Sequence, residues 1–253
     1  MDKPFLSIVI PALNEEKNIS DVINNTLNAF SSLNIKGEIV VINDGSKDKT
    51  PDIVRELMRS EGRIKIVDHD TPKGIGASFW DGVLNANGEA VCMLPGDGEG
   101  DPAEIFRYLA LLDSVDMVIP FVYNKEVRAL SRNIISRVYL TIMNMTFGTS
   151  FNYTNGTIIY RKSILQDIEY RCPNFFFQTD ALIKLVKRGY LFAEVPYKLG
   201  IRKSGETKAI SFSSLYKVAK SYLRLVKDIY FGKKERAKLH KFSKDSVSLK
   251  RYT

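Results

Sequence analysis

Four short apolar runs, each ending in or followed within a few residues by a polar one and separated from the next by a helix-length segment, constrain the fold of this chain more than anything else in it. They are residues 5–10, EIVVIND at 38–44, IKIVDHD at 64–70 and AVCML at 90–94. None alternates polar with apolar residues, so a strand built from any of them is buried on both faces. Between them, residues 19–33, 51–59 and 76–85 carry apolar residues at helical spacing, with Asn14 or Asn18 available to cap the first. The order βαβαβαβ predicts an α/β fold with a mainly parallel central sheet and helices on both faces. Ligands of such sheets collect at the carboxyl ends of the strands. Asn14, Asp44, Asp70 and Asp97 all fall at such ends, which predicts one cleft.

Beyond residue 100 the pattern predicts a helix over 102–112, a strand over 116–121 and a long helix over 128–147. That helix is apolar around much of its circumference, so it either packs between layers or touches lipid. A strand over 157–160, a helix over 177–188 closed by Gly189 and a strand over 191–195 before Pro196 follow. Residues 1–210 thus read as one catalytic-size domain and residues 211–253 as a basic amphipathic helix and tail. From Ser211 onward twelve Lys/Arg stand against three Asp/Glu, a net of +9 out of the chain's +8, leaving about −1 for the rest. The basicity therefore belongs to the tail, where Lys217, Lys220, Arg224 and Lys227 interleave with apolar residues. Such a helix either lies on an anionic membrane surface or packs on its own domain ahead of a solvated basic end. No groove-like interleaving of basic and aromatic residues marks nucleic acid as a partner. Cys92 and Cys172 make no disulfide framework, and two histidines make no structural zinc site. Without a cleavage signal or a run of roughly 18 to 20 apolar residues, the expectation is a cytoplasmic protein, at most peripheral on the cytoplasmic face of a membrane.

Three loops carry chemistry. NDGSKDKT at 43–50 turns from a strand into a helix, with Asp44 able to accept hydrogen bonds from a ribose or base and Gly45 letting a ligand approach. Taken alone, an Asx turn capping the helix is the better account of it. HDTPKGIGASFWDG carries Lys73, Gly74 and Gly76 but neither the GxGxxG of a dinucleotide site nor a P-loop lysine followed by Ser or Thr. In PGDGEGDPAEI, Asp97 and Glu99 stand among Gly96, Gly98 and Gly100. Two carboxylates on a glycine-rich turn suit a hard divalent cation bridging a diphosphate, and a solvated acidic turn is the plain alternative. Trp80 and Phe175 to Phe177 read as packing, His69 as structural and Cys92 as an inert strand residue.

ALNEE at 12–16, NDGSKDKT, the glycine-rich stretch 74–88 and PGDGEGDPAEI together resemble the family 2 glycosyltransferases of GT-A fold. The resemblance continues through NYTNGTIIYR at 152–161, residues 177–196 and RKSGETK at 202–208, and is strongest to members that act on polyprenyl phosphate, such as dolichyl-phosphate mannose synthases. It implies a metal-dependent, inverting transfer of a sugar from a nucleoside diphosphate, UDP or GDP, with Mg²⁺ or Mn²⁺ as cofactor. By that likeness Pro11, Asn14, Glu16, Asp44, Asp70, Lys73, Gly74, Gly96 and Asp97 hold the donor. Pro95 replaces the first Asp of the family's Asp-x-Asp pair, Asp97 is the remaining metal-side carboxylate, and Glu99 restores a second where relatives carry an amide. Asp180 falls on the acidic position of the acceptor-side helix, as base toward a hydroxyl or as an orienting group toward a lipid phosphate. Arg128, Arg132, Asn155, Gly156, Arg202 and Lys208 belong to the acceptor and its phosphate. The acceptor implied is a polyprenyl phosphate. The alternatives are a saccharide hydroxyl, or a nucleotide-sugar binding protein weakened by Pro95.

Overall fold

The computed structural model describes residues 3–98, 100–124, 126, 130–198, 212–233, 239 and 241–252. Strands β1 (Leu6–Ala12), β2 (Gly37–Asn43), β3 (Ile64–Asp68) and β4 (Ala90–Met93) alternate with helices α1 (Ile19–Ser32), α2 (Thr50–Ser60) and α3 (Ile75–Asn85). Then come α4 (Pro102–Phe106), β5 (Met117–Val122), α5 (Leu130–Phe147), β6 (Ile159–Arg161), α6 (Lys162–Gln166), α7 (Phe177–Arg188), β7 (Phe192–Tyr197), α8 (Phe212–Phe231) and α9 (Val247–Tyr252). The helix expected over 102–112 breaks into α4 and a 3₁₀ turn, Leu109–Asp113. The chain tightens at Tyr108, whose hydroxyl donates to the carbonyl of Pro196 at 2.7 Å.

The strands form one sheet in the order β3-β2-β1-β4-β6-β5-β7, parallel except for β6. Alternate residues of each strand feed different cores, as the pleat requires. Val9, Val40, Ile42 and Val91 face a core with Phe79, Trp80, Phe147 and Phe177, while Ile8, Ile10, Ile39 and Val41 face one with Ile23, Phe30, Val54 and Phe106. Both sides are covered, which is why the strands read as unbroken apolar runs.

Helix α8 buries Ser221 and Leu225 and joins α5 through Tyr222 and Thr146, whose hydroxyl oxygens are 2.8 Å apart. Its outer face carries Leu215, Tyr216 and Leu223 together with Lys217, Lys220, Arg224 and Lys227. Part of the basic tail is bound to the domain. Asp116, at 0% exposure, accepts from the backbone N–H groups of Val247 (2.7 Å) and Ser248 (3.1 Å) and from the Ser248 hydroxyl. Phe242 meets Tyr190 at the same place. Losing either half of this clasp orphans buried polar groups. Asp116→Ala is expected to cost about 2–4 kcal/mol in urea unfolding. A chain ending at residue 240 should lose a similar amount, and the two changes together much less than their sum, because they break the same contact.

Candidate functional site

Register brings the chemistry to one rim. Ala12 is level with Asn43, Asn43 with Asp68, and Val9 with Met93, so the four loops leaving β1 to β4 rise side by side. Strand β6 runs the other way, with Ile159 beside Cys92, and therefore delivers the loop that precedes it, residues 152–156, to the same rim. Beyond the strand ends the pairing continues as Asp44 N–H to Ala12 O (2.8 Å) and Gly96 N–H to Pro11 O (3.2 Å). Pro11 thus serves through its carbonyl. A Cβ on Gly96 would meet that oxygen at 3.1 Å, so glycine permits the close crossing.

Asn14 adopts φ +56, a left-handed conformation that Asn tolerates better than most residues. From there its N–H donates to Ser46 Oγ at 3.0 Å and its Oδ1 accepts from Lys47 N at 2.8 Å. Glu16 N–H donates to Asp48 Oδ2 (3.1 Å), and Glu16 Oε2 accepts from Lys49 N (3.1 Å). Asn14 and Glu16 therefore zip the first loop to the second. Burial pushes the Asp48 carboxyl up, but the hydroxyl and N–H of Thr50 and the N–H of Glu16 outweigh it and hold Asp48 below the usual carboxylate range.

Asp44 is the most tightly held carboxylate of the rim. Its Oδ1 accepts from His69 Nδ1 (2.7 Å) and Lys73 N (2.8 Å), and its Oδ2 from Gly74 N (2.9 Å). Burial raises its pKa, yet the bonds from His69, Lys73 and Gly74 prevail and hold the carboxyl below its ordinary value. His69 Nε2 faces Asp81 Oδ2 at 2.9 Å, and Lys73 Nζ lies 3.5 Å from the same oxygen. The structural role expected for His69 is thus exercised inside the site. Asp81 was not legible as a site residue, and the histidine closing the β3 run was the one available sign. Asp70 stands exposed beside it.

Asp97 follows Gly96 on the β4 turn, half-buried, ahead of Gly98 at φ +74. Among the described residues no group of three or more His, Cys, Asp or Glu forms a metal cage. Mg²⁺ and Mn²⁺ sites built on substrate phosphates need only one or two protein carboxylates, and a carboxylate on an open glycine turn at the rim fits that donor set. Glu99, Arg128, Arg202 and Lys208 lie outside the described residues.

Across the rim from these loops the expected acceptor residues lie on or near α7, where Asp180 is buried in the first turn and paired with Lys184 at 2.8 Å, with the two side chains 2% and 1% exposed. Lys184 Nζ also donates to Tyr170 O (3.3 Å). Asn155 is exposed and its Oδ1 accepts from Thr179 Oγ1 (2.9 Å), next to the Tyr139 hydroxyl, which burial pushes up to about 12. Gly156 packs under Pro120 O, 2.8 Å from where a Cβ would lie. Asn152 donates to Glu194 Oε1 from its N–H (2.7 Å) and to Oε2 from its amide (3.0 Å); a carboxylate there would oppose Glu194. Arg132 lies half-buried on α5. Phe176 and Phe177 are core residues and Phe175 is partly exposed. The two sides meet where Ala77 N–H donates to Pro173 O at 3.1 Å, and a Cβ on Gly76 would come within 2.6 Å of Cys172 O.

Residues 7–169 match the family model described as "Glycosyl transferase family 2". A dolichyl-phosphate beta-glucosyltransferase of Trichomonas vaginalis is 39% identical over 99 residues, 37% of this chain and 31% of its own. An undecaprenyl-phosphate 4-deoxy-4-formamido-L-arabinose transferase of Edwardsiella ictaluri is 27% identical over 206 residues, 81% of this chain and 62% of its own. This chain thus spans less than two-thirds of these curated relatives. Glucosyl-3-phosphoglycerate synthase of Mycobacterium tuberculosis with bound UDP superposes with a TM-score of 0.64 at 20% identity, covering 89% of this chain and 80% of that one. The likeness establishes a GT-A-like fold for this chain.

Because Asp44 is held below its ordinary pKa, its contribution to stability is present above the usual aspartate range and lost as pH falls through the depressed folded value. Asp44→Asn is expected to lower the melting temperature at about pH 7, with the difference from wild type closing as the pH drops to about 3. A constant offset across that range would show that the carboxylate's charge is not what matters.

Proposed function

The chain belongs to glycosyl transferase family 2, and from that premise we propose that this glycosyltransferase moves a sugar from a nucleoside diphosphate to a polyprenyl phosphate at a membrane surface. The observation that carries the choice of acceptor is the Asp180–Lys184 pair. A hydroxyl acceptor needs a base to take its proton. The carboxylate on the acceptor-side helix is buried, and Lys184 sits 2.8 Å away. A lipid phosphate is already anionic and needs no proton removed.

In this reading the nucleoside lies over Asp44 and the loops zipped by Asn14 and Glu16, beside Asp70, Lys73 and Gly74. The diphosphate reaches the Gly96–Asp97 turn, where Asp97, with Glu99 in support, would hold Mg²⁺ or Mn²⁺. When bound, the ion would supply Lewis-acid stabilisation of the charge on the departing diphosphate. A phosphate oxygen of the acceptor attacks the anomeric carbon from the face opposite the leaving group. The new C–O bond forms as the bond to the diphosphate breaks, its electron pair leaves with the nucleoside diphosphate, and configuration inverts. Arg128, Arg132, Arg202 and Lys208 offset the acceptor's charge, and Asn155 and Gly156 line its approach. Asp180 fixes Lys184, which ties α7 to the carbonyl of Tyr170.

The acceptor's hydrocarbon tail gives a reason for an exposed apolar face on α5, where Leu130, Ile134, Val138, Ile142 and Met145 follow one another along the helix and Met145 is 79% exposed. The basic outer face of α8 suits anionic headgroups. No helix among the described residues is long and apolar enough to cross a membrane, and peripheral attachment on the cytoplasmic side follows as part of the proposal. Binding to vesicles containing an anionic lipid should fall about tenfold or more in Lys217→Glu/Lys220→Glu, and salt should weaken the wild type. Equal binding to neutral vesicles would remove the electrostatic part.

The deciding assay measures nucleoside diphosphate release from UDP- and GDP-sugars with Mg²⁺ or Mn²⁺, with and without a short polyprenyl phosphate, and the mass of the product. Lipid-dependent release with a lipid product heavier by one glycosyl unit is expected. Transfer to a saccharide hydroxyl instead would overturn the acceptor assignment, and donor binding without turnover under all conditions would point to Pro95. Asp97→Ala is expected to lose about 10²-fold or more in turnover. Asp180→Asn should lose less than about tenfold per folded molecule, because general-base removal ordinarily costs about 10²–10⁴.

A further inference from the structure

Asp44 has less to offer a ligand than a carboxylate normally brings. An ionised carboxylate has about four lone-pair sites. On Oδ1 two are taken, by His69 Nδ1 and Lys73 N, and on Oδ2 one is taken by Gly74 N. One acceptor site remains. The three donors cannot readily turn away. His69 is 6% exposed and fixed from its far side by Asp81, 2.9 Å from Nε2. The backbone at Thr71 and Pro72, just ahead of two of these donors, lies against Gly45, where a Cβ would come within 2.9 Å of Pro72 Cδ. Gly74 itself sits at φ +98, a conformation other residues rarely adopt.

Nucleobases differ in what they ask of such a group. Guanine presents N1–H and N2–H side by side, a pair that both oxygens of one carboxylate can grip together. Uracil presents a single N3–H between two carbonyls. One free lone pair on Oδ2 serves the second pattern and fails the first, and a buried polar pair left half-satisfied is a strong source of discrimination.

Resting on the reading of this rim as the donor site, we infer that the Asp81–His69–Asp44 relay makes the protein select a uridine over a guanosine diphosphate donor, with His69 the positioning residue that occupies the second oxygen of Asp44. Attraction and rejection come from the same bond. The N–H that holds Oδ1 leaves only Oδ2 for a base to reach and denies guanine its second acceptor.

The test is titration calorimetry of UDP and of GDP with Mg²⁺ on the wild type, His69→Ala and His69→Gln. The wild type is expected to bind UDP about tenfold or more tightly than GDP. His69→Ala frees one of the two occupied positions on Oδ1, the Lys73 N–H keeping the other, and the ratio should shrink to about threefold or less, with UDP weakened and GDP strengthened. His69→Gln, whose amide can still donate to Oδ1, should keep most of the preference. General damage to the fold would weaken both nucleotides together and leave their ratio in place. GDP binding as tightly as UDP in the wild type, or an unchanged ratio in folded His69→Ala, would overturn the inference while leaving the donor site intact. Failure of the wild type to bind either nucleotide would remove the donor-site reading and this inference with it.

Discussion

The parallel pairing of β1 with β2 on one side and β4 on the other is the constraint on which the rest depends. It puts Ala12 level with Asn43 and Val9 level with Met93, and two backbone bonds carry it past the strand ends, Asp44 to Ala12 and Gly96 to Pro11. Asp44 and the turn bearing Asp97 are therefore placed by main-chain hydrogen bonds to adjacent residues of one strand. Backbone of this kind shifts little when side chains change, and a site built on strand ends is correspondingly firm. The loops above it use side chains for what the backbone no longer provides. Asn14, Glu16, Ser46 and Asp48 exchange bonds in both directions, joining two irregular segments into one surface.

Helix α3 connects this surface to α7. Its first turn starts at Gly74, which donates to Asp44, and two residues later Gly76 and Ala77 press against Cys172 and Pro173. Phe79 then meets Phe177 with ring centroids 4.9 Å apart, in the first turn of the helix that carries Asp180. One short helix touches Asp44 at its start and α7 along its side. The small residues at positions 74 and 76 allow both contacts, since a side chain at 76 would collide with backbone that has no freedom to yield.

The strands and their shared rim were legible in the sequence because a sheet covered on both faces leaves continuous apolar runs that no other element imitates at that length. The same continuity hid which residues faced which core, since nothing polar marks a face. The reversal of β6 was invisible for a related reason: three residues, Ile159–Arg161, carry no direction. Pairings across long separations were beyond reach. His69 takes its role from Asp44, 25 residues away, and Asp116 from Ser248, 132 residues away. The Asp180–Lys184 spacing was in plain view as an i, i+4 pair. Its meaning came only with burial, because an exposed pair of that kind is worth little while a buried one changes what the carboxylate can do.

Two carboxylates near the 152–156 loop and α7 are already engaged. Glu194 accepts from the N–H and the amide of Asn152, and Asp180 is matched by Lys184. Under the proposed transfer to a phosphate such engagement is no handicap: a hydroxyl acceptor calls for a carboxylate left open to take its proton, whereas a phosphate arrives already charged.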